Sequence, residues 1–191
     1  MPEIKTVAVI GAGPAGRRIA ETAALAGLRT ILVDILPSSL RQAESEMRDR
    51  LQQAQERGGL SAVAANAALA RLELAPGVAE AAREADLVIE AVPDEMESKL
   101  EILTLLDKIS RPQTILASTT RSLSVSEIAS VTYRSSKVLG LRFGFSMDNA
   151  GEPRMEIVRG RQTDDEAVAM CAEAGRRMGL AVALVQESSA N

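Results

Sequence analysis

A glycine-rich turn near the start of the chain has the residue types and spacing to bind a phosphate group. Gly11, Gly13 and Gly16 follow the pattern G-x-G-x-x-G, between an apolar run at 5–10 and a helical pattern at 17–27. The first glycine permits a sharp bend, the second lets the backbone approach a pyrophosphate, and the third lets the helix pack closely on the strand. The free N–H groups and positive dipole of the helix then face the anion. The candidate contacts of this site are Gly11, Ala12, Gly13, Ala15 and Gly16.

An acidic residue completes the pattern at the end of the next predicted strand, 29–34. Asp34 follows Gly13 at close to the spacing expected for a carboxylate that binds the ribose hydroxyls of a dinucleotide. Because a carboxylate there repels a 2′-phosphate, we expect NAD(H) as the cofactor rather than NADP(H). The alternative is an ordinary strand–helix–strand unit with a glycine turn and a surface aspartate. The strand before the turn, the helix after it and the acid beyond favour the dinucleotide site.

Strands and helices alternate along the chain, as they do in a parallel sheet with helical crossovers. Apolar runs predict strands at 5–10, 29–34, 73–74, 86–92, 114–118, 137–141, 155–158 and 180–185, with an irregular stretch at 142–153. Helical spacing and capping boxes that start at Ser124 and Thr163 predict helices at 17–27, 40–57, 61–72, 78–85, 93–110, just after 124 and 163–178. The predicted fold is α/β, a doubly wound, mainly parallel sheet of the Rossmann type. It forms one domain, 1–187, with a polar tail, 188–191.

Composition restricts the class of protein. Hydrophobic residues make up 46% of the 191 and charged residues 25%, as in globular proteins, whereas aromatic residues make up only 2% and predict an aliphatic core. No run of 18 apolar residues predicts a membrane span, and the N-terminus lacks the apolar region of a signal peptide. A net charge of −4 argues against nucleic acid as a partner. The single cysteine, Cys171, excludes an internal disulfide, and its apolar neighbours indicate core packing. We expect a cytoplasmic protein without a metal site.

Motifs along nearly the whole chain, from about residue 5 to 187, resemble the NAD-binding domain of the 3-hydroxyacyl-CoA dehydrogenases. The matching segments include 11–20, 32–34, 85–93, 115–118 and 156–160. The resemblance implies NAD as cofactor, an oxidoreductase ancestry and a role in fatty acid metabolism. Family members continue into an all-helical domain that dimerises and completes the acyl-CoA cleft, and this chain stops where that domain would begin. We therefore expect a helical partner protein or a homo-oligomer.

The cofactor positions of the family carry over to this chain. Asp34 matches the ribose-binding acid, and Ala91 and Val92 match the backbone that lines the nicotinamide ribose. Asp94 stands where the family usually has glutamate, and Lys99 matches the lysine on the nicotinamide side. For these last two residues the alternative is a helix-start acid with a solvated lysine.

The catalytic positions of the family do not carry over. The resemblance aligns Thr119 with the family asparagine, Arg121 with its substrate-contacting serine and Arg142 with its catalytic histidine, whereas Glu156 matches the acid that orients that histidine. The loop between Arg142 and Glu156 is roughly two residues longer. Oxidation of an alcohol by NAD needs a base for the hydroxyl proton. Arginine keeps its proton in proteins, and the chain contains no histidine at all. We therefore assign no catalytic residue and expect Arg142 to form an ion pair with Glu156.

Two hypotheses of function follow. The first is a protein that binds NAD(H) in a binding or regulatory role, with lost or weakened dehydrogenase chemistry. The second is an oxidoreductase of 3-hydroxyacyl-CoA type that acts with a separately encoded helical domain or on another substrate. An exposed apolar face on the domain would favour the second.

Two further groups of residues have alternative interpretations. Tyr133 and Lys137 fit the Tyr-x-x-x-Lys pattern of short-chain dehydrogenases, but that pattern belongs on a helix and this segment leads into a strand. A surface tyrosine beside a solvated lysine is therefore favoured. Arg17 and Arg18 follow the glycine turn and either attract phosphate or are solvated charges on the helix surface, and we favour the second.

Overall fold

One eight-stranded sheet organises the part of the chain that the computed structural model describes, residues 3–145 and 152–187. The strand order is β3-β2-β1-β4-β5-β6-β7-β8. Strands β1 to β6 are parallel, whereas β7 is antiparallel to β6 and β8 is parallel to β7. The strands are β1 (Thr6–Ile10), β2 (Arg29–Val33), β3 (Leu72–Ala75), β4 (Leu87–Glu90), β5 (Ile115–Ser118), β6 (Val138–Gly144), β7 (Arg154–Arg159) and β8 (Ala181–Gln186).

Seven helices cover the two faces of this sheet in the described residues. They are α1 (Pro14–Leu25), α2 (Pro37–Glu56), α3 (Ala62–Arg71), α4 (Val78–Glu84), α5 (Met96–Ile109), α6 (Val125–Ala129) and α7 (Asp165–Arg177). Along β1, Val7 and Val9 belong to the apolar cluster that contains Ile19 of α1, whereas Ala8 and Ile10 belong to the cluster on the opposite face. The predicted doubly wound, mainly parallel α/β fold with an aliphatic core is confirmed.

The strand order reverses between β1 and β4, and this reversal positions the site. Chain connections run outward from β1 in one direction through β2 and β3, and from β4 in the other. The carboxyl ends of β1 and β4 therefore border a crevice, where open α/β sheets bind their ligands. Gly11 directly follows β1, and the Ala91 N–H donates to Ile10 O across 2.8 Å. The glycine turn and the end of β4 thus lie side by side at this edge.

Several element boundaries differ from the sequence-based expectation. Helix α2 begins at Pro37 rather than residue 40, because proline fits the first helical position. Helix α5 begins at Met96 rather than residue 93, with Glu95 as its N-cap, so the segment before it is a loop. Strand β6 continues to Gly144, because residues predicted to be irregular pair with β7. Residues 146–151 of the predicted irregular stretch, and the predicted tail 188–191, lie outside the described residues.

The two predicted capping boxes have different outcomes. Ser124 caps α6, where its Oγ accepts from the Glu127 N–H at 3.1 Å, as predicted. The cap of α7 is Asp164 rather than Thr163, because the Asp164 carboxylate accepts from the Ala167 N–H at 2.7 Å. The Thr163 hydroxyl instead donates to the carbonyl of Val138 at 2.6 Å and so ties the start of β6 to the chain after β7.

Two predictions from composition concern the described residues as a whole. Cys171 is buried in the core, and burial raises the pKa of its thiol to about 12, so its predicted packing role is confirmed. Within residues 3–145 and 152–187, no helix has the length and apolar character needed to cross a membrane.

Candidate functional site

The three glycines of the turn have different surroundings. Gly11 has φ +111°, and a Cβ atom there would lie 2.7 Å from the carbonyl oxygen of Ala91. A Cβ atom on Gly16 would lie 1.9 Å from the carbonyl oxygen of Gly11. Both positions thus need glycine for packing. A Cβ atom on Gly13 would meet no described atom within 4 Å, so the backbone at Gly13 borders open space.

Helix α1 starts at this open space without a side-chain cap. Gly13 is its N-cap residue, Pro14 occupies the first helical position, and no acidic residue lies in the first turn. The backbone N–H groups at the start of a helix attract anions, because they lack partners and carry the positive end of the dipole. Together with the open space at Gly13, this uncapped start fits the diphosphate of a dinucleotide.

Asp34 lies beside the turn at the end of β2. Its Oδ2 accepts a hydrogen bond from the Ala12 N–H at 2.8 Å, and its Oδ1 accepts one from the Leu36 N–H at 2.9 Å. These bonds hold the carboxylate against the glycine turn while the residue stays half-buried. Ile35 and Leu36 follow with exposed fractions of 78% and 55%, so apolar surface borders the carboxylate.

Arg17 is buried and hydrogen-bonded to the glycine turn, so its assignment as a solvated surface charge is wrong. The residue is only 7% exposed. Its Nε donates to the carbonyl of Ala12 at 2.6 Å, and its Nη1 lies 2.7 Å from Glu46 Oε1 on α2. The guanidinium therefore joins the glycine turn to a second helix. Arg18 remains partly exposed, with its guanidinium carbon 5.2 Å from the centre of the Phe145 ring.

Lys99 is fully buried, so the alternative of a solvated lysine is wrong. Its Nζ lies 2.9 Å and 3.0 Å from the two carboxylate oxygens of Glu90, which is also fully buried. The same ammonium donates to the carbonyl of Thr119 at 3.2 Å. Glu90 in turn accepts from the Val92 N–H at 2.7 Å and from the Ser118 hydroxyl at 2.6 Å. This buried network joins the carboxyl ends of β4 and β5 to α5.

Glu90 is the site residue that sequence reasoning missed. An acid inside the otherwise apolar strand 87–90 was the available signal, because a buried carboxylate needs a partner of opposite charge. Lys99, nine positions later, is that partner.

Asp94 lies in the loop before α5, so it is not a helix-start acid. Its Oδ1 is 3.8 Å from Lys99 Nζ, and its Oδ2 accepts from the Arg121 N–H at 3.2 Å. Ala91 and Val92 border the same loop. The structure thus brings the four predicted nicotinamide-side residues together at the carboxyl ends of β4 and β5: Ala91, Val92, Asp94 and Lys99.

A cleft of about 420 Å³ lies between the glycine turn and β6. Its lining residues come from α1, from the loop after β5, from β6 and from the residue that follows β6. They are Pro14, Ala15, Arg18, Ile19, Thr119, Thr120, Arg121, Leu141, Arg142, Phe143 and Phe145. Arg121 and Arg142, which the resemblance aligns with substrate-side positions of the family, both line it. The predicted ion pair is long, because Arg142 Nη1 lies 3.9 Å from Glu156 Oε2.

The Tyr133–Lys137 segment forms no catalytic dyad. Tyr133 is fully exposed, as the favoured interpretation predicted, and Ser135–Lys137 is a short 3₁₀ turn. Lys137 is partly exposed, and its Nζ lies 2.6 Å from Glu166 Oε2 and 3.3 Å from Asp164 Oδ2. The hydrogen bond that the ammonium donates to Glu166, aided by the Asp164 carboxylate, raises the pKa of this lysine. Among the described residues, no cluster of acidic and cysteine side chains has the makings of a metal site.

Comparison with known proteins assigns the domain. The family described as "3-hydroxyacyl-CoA dehydrogenase, NAD binding domain" matches residues 6–188. The chain belongs to the 3-hydroxyacyl-CoA dehydrogenase family. It is 34% identical to a probable 3-hydroxybutyryl-CoA dehydrogenase from Bacillus subtilis over 178 residues, which make up 93% of this chain and 61% of that protein. The chain thus spans less than two thirds of that relative, and the cofactor of the matched domain is NAD.

Solved structures of family members have the same fold. The (S)-3-hydroxybutyryl-CoA dehydrogenase from Ralstonia eutropha aligns with a TM-score of 0.91 at 29% identity, covering 97% of this chain and 65% of that one. The 3-hydroxybutyryl-CoA dehydrogenase from Escherichia coli K12 also aligns with a TM-score of 0.91, at 32% identity, covering 98% and 39%. The fold of the described residues is therefore the fold of the matching part of these dehydrogenases.

Proposed function

We propose that this chain binds NAD(H) at the glycine turn without efficient turnover of a hydroxyacyl-CoA. The observation that carries the proposal is the contrast among the three glycines. Packing closes Gly11 and Gly16 to any side chain, whereas Gly13 borders open space at the uncapped start of α1. Packing alone gives no reason for glycine at position 13, and the close approach of a diphosphate does.

Each part of the cofactor has candidate partners in this proposal. The N–H groups at the start of α1 hold the diphosphate, Asp34 accepts from the adenosine ribose hydroxyls, and Ile35 offers apolar surface to the adenine. Ala91, Val92, Asp94 and Lys99 hold the nicotinamide side. When bound, NAD supplies a site that gives or accepts a hydride.

The proton transfer that must accompany hydride transfer has no histidine to perform it, because the sequence contains none. A titrating side chain at the reacting oxygen typically contributes about 10²- to 10⁴-fold to such a rate. Arg142 occupies the family histidine position, keeps its proton, and donates its Nε–H to the carbonyl of Thr120 at 3.2 Å. We infer that any residual oxidation of a hydroxyacyl-CoA is at least about 10²-fold slower than in an enzyme with such a side chain.

Calorimetric titrations with NADH and NADPH test the binding site. We expect saturable binding of NADH, weaker binding of NADPH, and a roughly ten- to hundred-fold loss of NADH affinity in Asp34→Asn, because a charged hydrogen bond contributes about 1.5–3 kcal/mol. Asp49→Asn on the exposed side of α2 removes the same charge and serves as the control. If NADH fails to bind, or if both variants weaken it equally, the proposal is wrong.

A second candidate is an oxidoreductase that acts with a separate helical protein. Strand β8 favours it, because this edge strand exposes Leu184 by 53% and also leaves Ala181 and Ala183 exposed. Such a partner would cover that surface and complete a substrate cleft. Size-exclusion chromatography of the chain with the part of the Bacillus subtilis relative that lies outside the match tests this candidate. A stable complex with measurable turnover supports it, and independent elution contradicts it.

A further inference from the structure

Three arginines from three different elements converge on the cleft beside the glycine turn. Arg18 comes from α1, Arg121 from the loop after β5 and Arg142 from β6. None of the described residues that line the cleft is acidic, although the chain as a whole carries a net charge of −4. The described lining of the cleft is therefore positively charged, whereas the chain as a whole has a negative net charge.

Among residues 3–145 and 152–187, the nearest acids lie too far from Arg142 and Arg18 for short charge-assisted hydrogen bonds. Arg142 Nη1 lies 3.9 Å from Glu156, beyond the roughly 2.7–2.9 Å of a charge-assisted hydrogen bond. Arg18 Nη1 lies 3.7 Å from Glu21, whose other oxygen is 2.6 Å from Arg50 Nε. Arg142 Nε also donates to the carbonyl of Thr120 at 3.2 Å. A guanidinium offers five N–H donors, and the contacts among the described residues leave several of them for a ligand.

The walls of the cleft complement the arginines with apolar surface. The rings of Phe143 and Phe145 are stacked, with centroids 5.6 Å apart and planes inclined by 7°. Ile19 and Leu141 add aliphatic surface. The volume of about 420 Å³ falls within the range of small-molecule sites. A ligand with an anionic head and a short apolar body fits this combination.

We propose that the cleft binds a small carboxylate-bearing molecule beside the cofactor, with Arg142 and Arg121 as partners of the carboxylate. The planar fork of arginine pairs with carboxylate oxygens through two parallel hydrogen bonds. The arginine at the family histidine position thus serves as an anion receptor. This inference rests on the proposed cofactor site and names the substrate class that would share it.

A calorimetric titration with hexanoate at fixed ionic strength tests the inference. We expect saturable binding of hexanoate, no binding of the neutral hexanamide, and at least a tenfold loss of affinity in Arg142→Gln and in Arg121→Gln. Arg71→Gln removes an equal charge from the exposed end of α3 and should leave the affinity unchanged. Absence of saturable binding, or equal losses in all three variants, overturns the inference.

A second titration, with saturating NADH present, shows whether the arginines bind the carboxylate of hexanoate or the diphosphate of the cofactor. Retained hexanoate affinity supports a ligand beside the cofactor. Displacement by NADH means that the arginines meet the diphosphate of the cofactor itself and overturns the second ligand. Failure of NADH to bind at all, with hexanoate binding intact and dependent on Arg142, instead rejects the proposed cofactor site and leaves the anion site standing.

Discussion

Arg142 of β6 and Glu156 of β7 lie directly opposite each other in an antiparallel pair, with Nη1 and Oε2 3.9 Å apart. Both side chains are about one third exposed. In the family resemblance these two positions hold a histidine and the acid that orients it. The register of β6 and β7 thus places positions 142 and 156 face to face, and an arginine at position 142 cannot act as the base that a histidine would be.

Arg142→His tests whether the side chains at positions 142 and 156 face each other closely enough to interact. The chain contains no histidine, so the proton NMR titration of Arg142→His reports a single imidazole. We expect its pKa to exceed the usual value of about 6.5, because the Glu156 carboxylate favours the charged form. Adding Glu156→Gln should lower that pKa again. An imidazole pKa that ignores the change at Glu156 contradicts the facing arrangement.

Alanine at Gly13 and at Gly16 should have opposite effects. Gly16→Ala forces a Cβ atom to within 1.9 Å of the Gly11 carbonyl, so we expect a loss of about 3 kcal/mol or more in the free energy of unfolding, or failure to fold. Gly13→Ala meets no described atom within 4 Å and should change stability by less than about 1 kcal/mol.

The same Gly13→Ala variant should bind NADH at least tenfold more weakly, because the added methyl group fills the space for the diphosphate. Urea unfolding and NADH titration on one preparation check both expectations. Unchanged NADH affinity in Gly13→Ala would remove the main support for the cofactor site, and wild-type stability in Gly16→Ala would contradict the packing of the turn.

The buried pair of Lys99 and Glu90 should dominate local stability. Lys99→Met leaves a buried carboxylate without its partner, for which we expect a loss of about 3–5 kcal/mol in urea unfolding. Adding Glu90→Gln should recover much of that loss. Lys108→Met, on the exposed side of α5, should stay within about 0.5 kcal/mol of the wild type. Equal stabilities of Lys99→Met and Lys108→Met would contradict the buried network.

The Glu187 carboxylate should make stability depend on pH. Burial alone would raise its pKa, but hydrogen bonds from Ser124 and Ser126 and from two backbone N–H groups outweigh burial and hold the pKa below its usual 4.5. A lowered pKa in the folded state stabilises the protein above the unfolded-state value. This stabilisation is lost as the pH falls through the folded value.

Glu187→Gln should therefore lower the urea midpoint at pH 7, and its difference from the wild type should shrink as the pH falls below 4.5. Glu101→Gln, exposed on α5, provides the matched control. A difference that grows as the pH falls would show that the sign of the shift is wrong.

Local patterns in the sequence predicted the elements and the glycine turn, because the period of apolar residues and the demands of a tight turn are read from neighbouring positions. Long-range contacts explain the errors. For Lys99 the sequence left a solvated position open as an alternative, and only its partner in β4 accounts for its burial. Arg17 likewise looked exposed until α2 supplied Glu46. The cap of α7 moved to Asp164 because the Thr163 hydroxyl bonds to Val138, a residue distant in sequence.

The most direct test of NADH binding without efficient turnover measures bound and total NADH in one sample. The sample contains the protein, NADH and acetoacetyl-CoA, which is the 3-oxo counterpart of 3-hydroxybutyryl-CoA. The account predicts fluorescence of protein-bound NADH, and it predicts that Gly13→Ala needs at least a tenfold higher NADH concentration to reach the same bound fraction. It also predicts that NADH is consumed at a rate at least about 100-fold below the lower end of the typical enzymatic range, which is about 1–10³ per second. Consumption within that range, or no bound NADH at saturating concentration, would contradict the account.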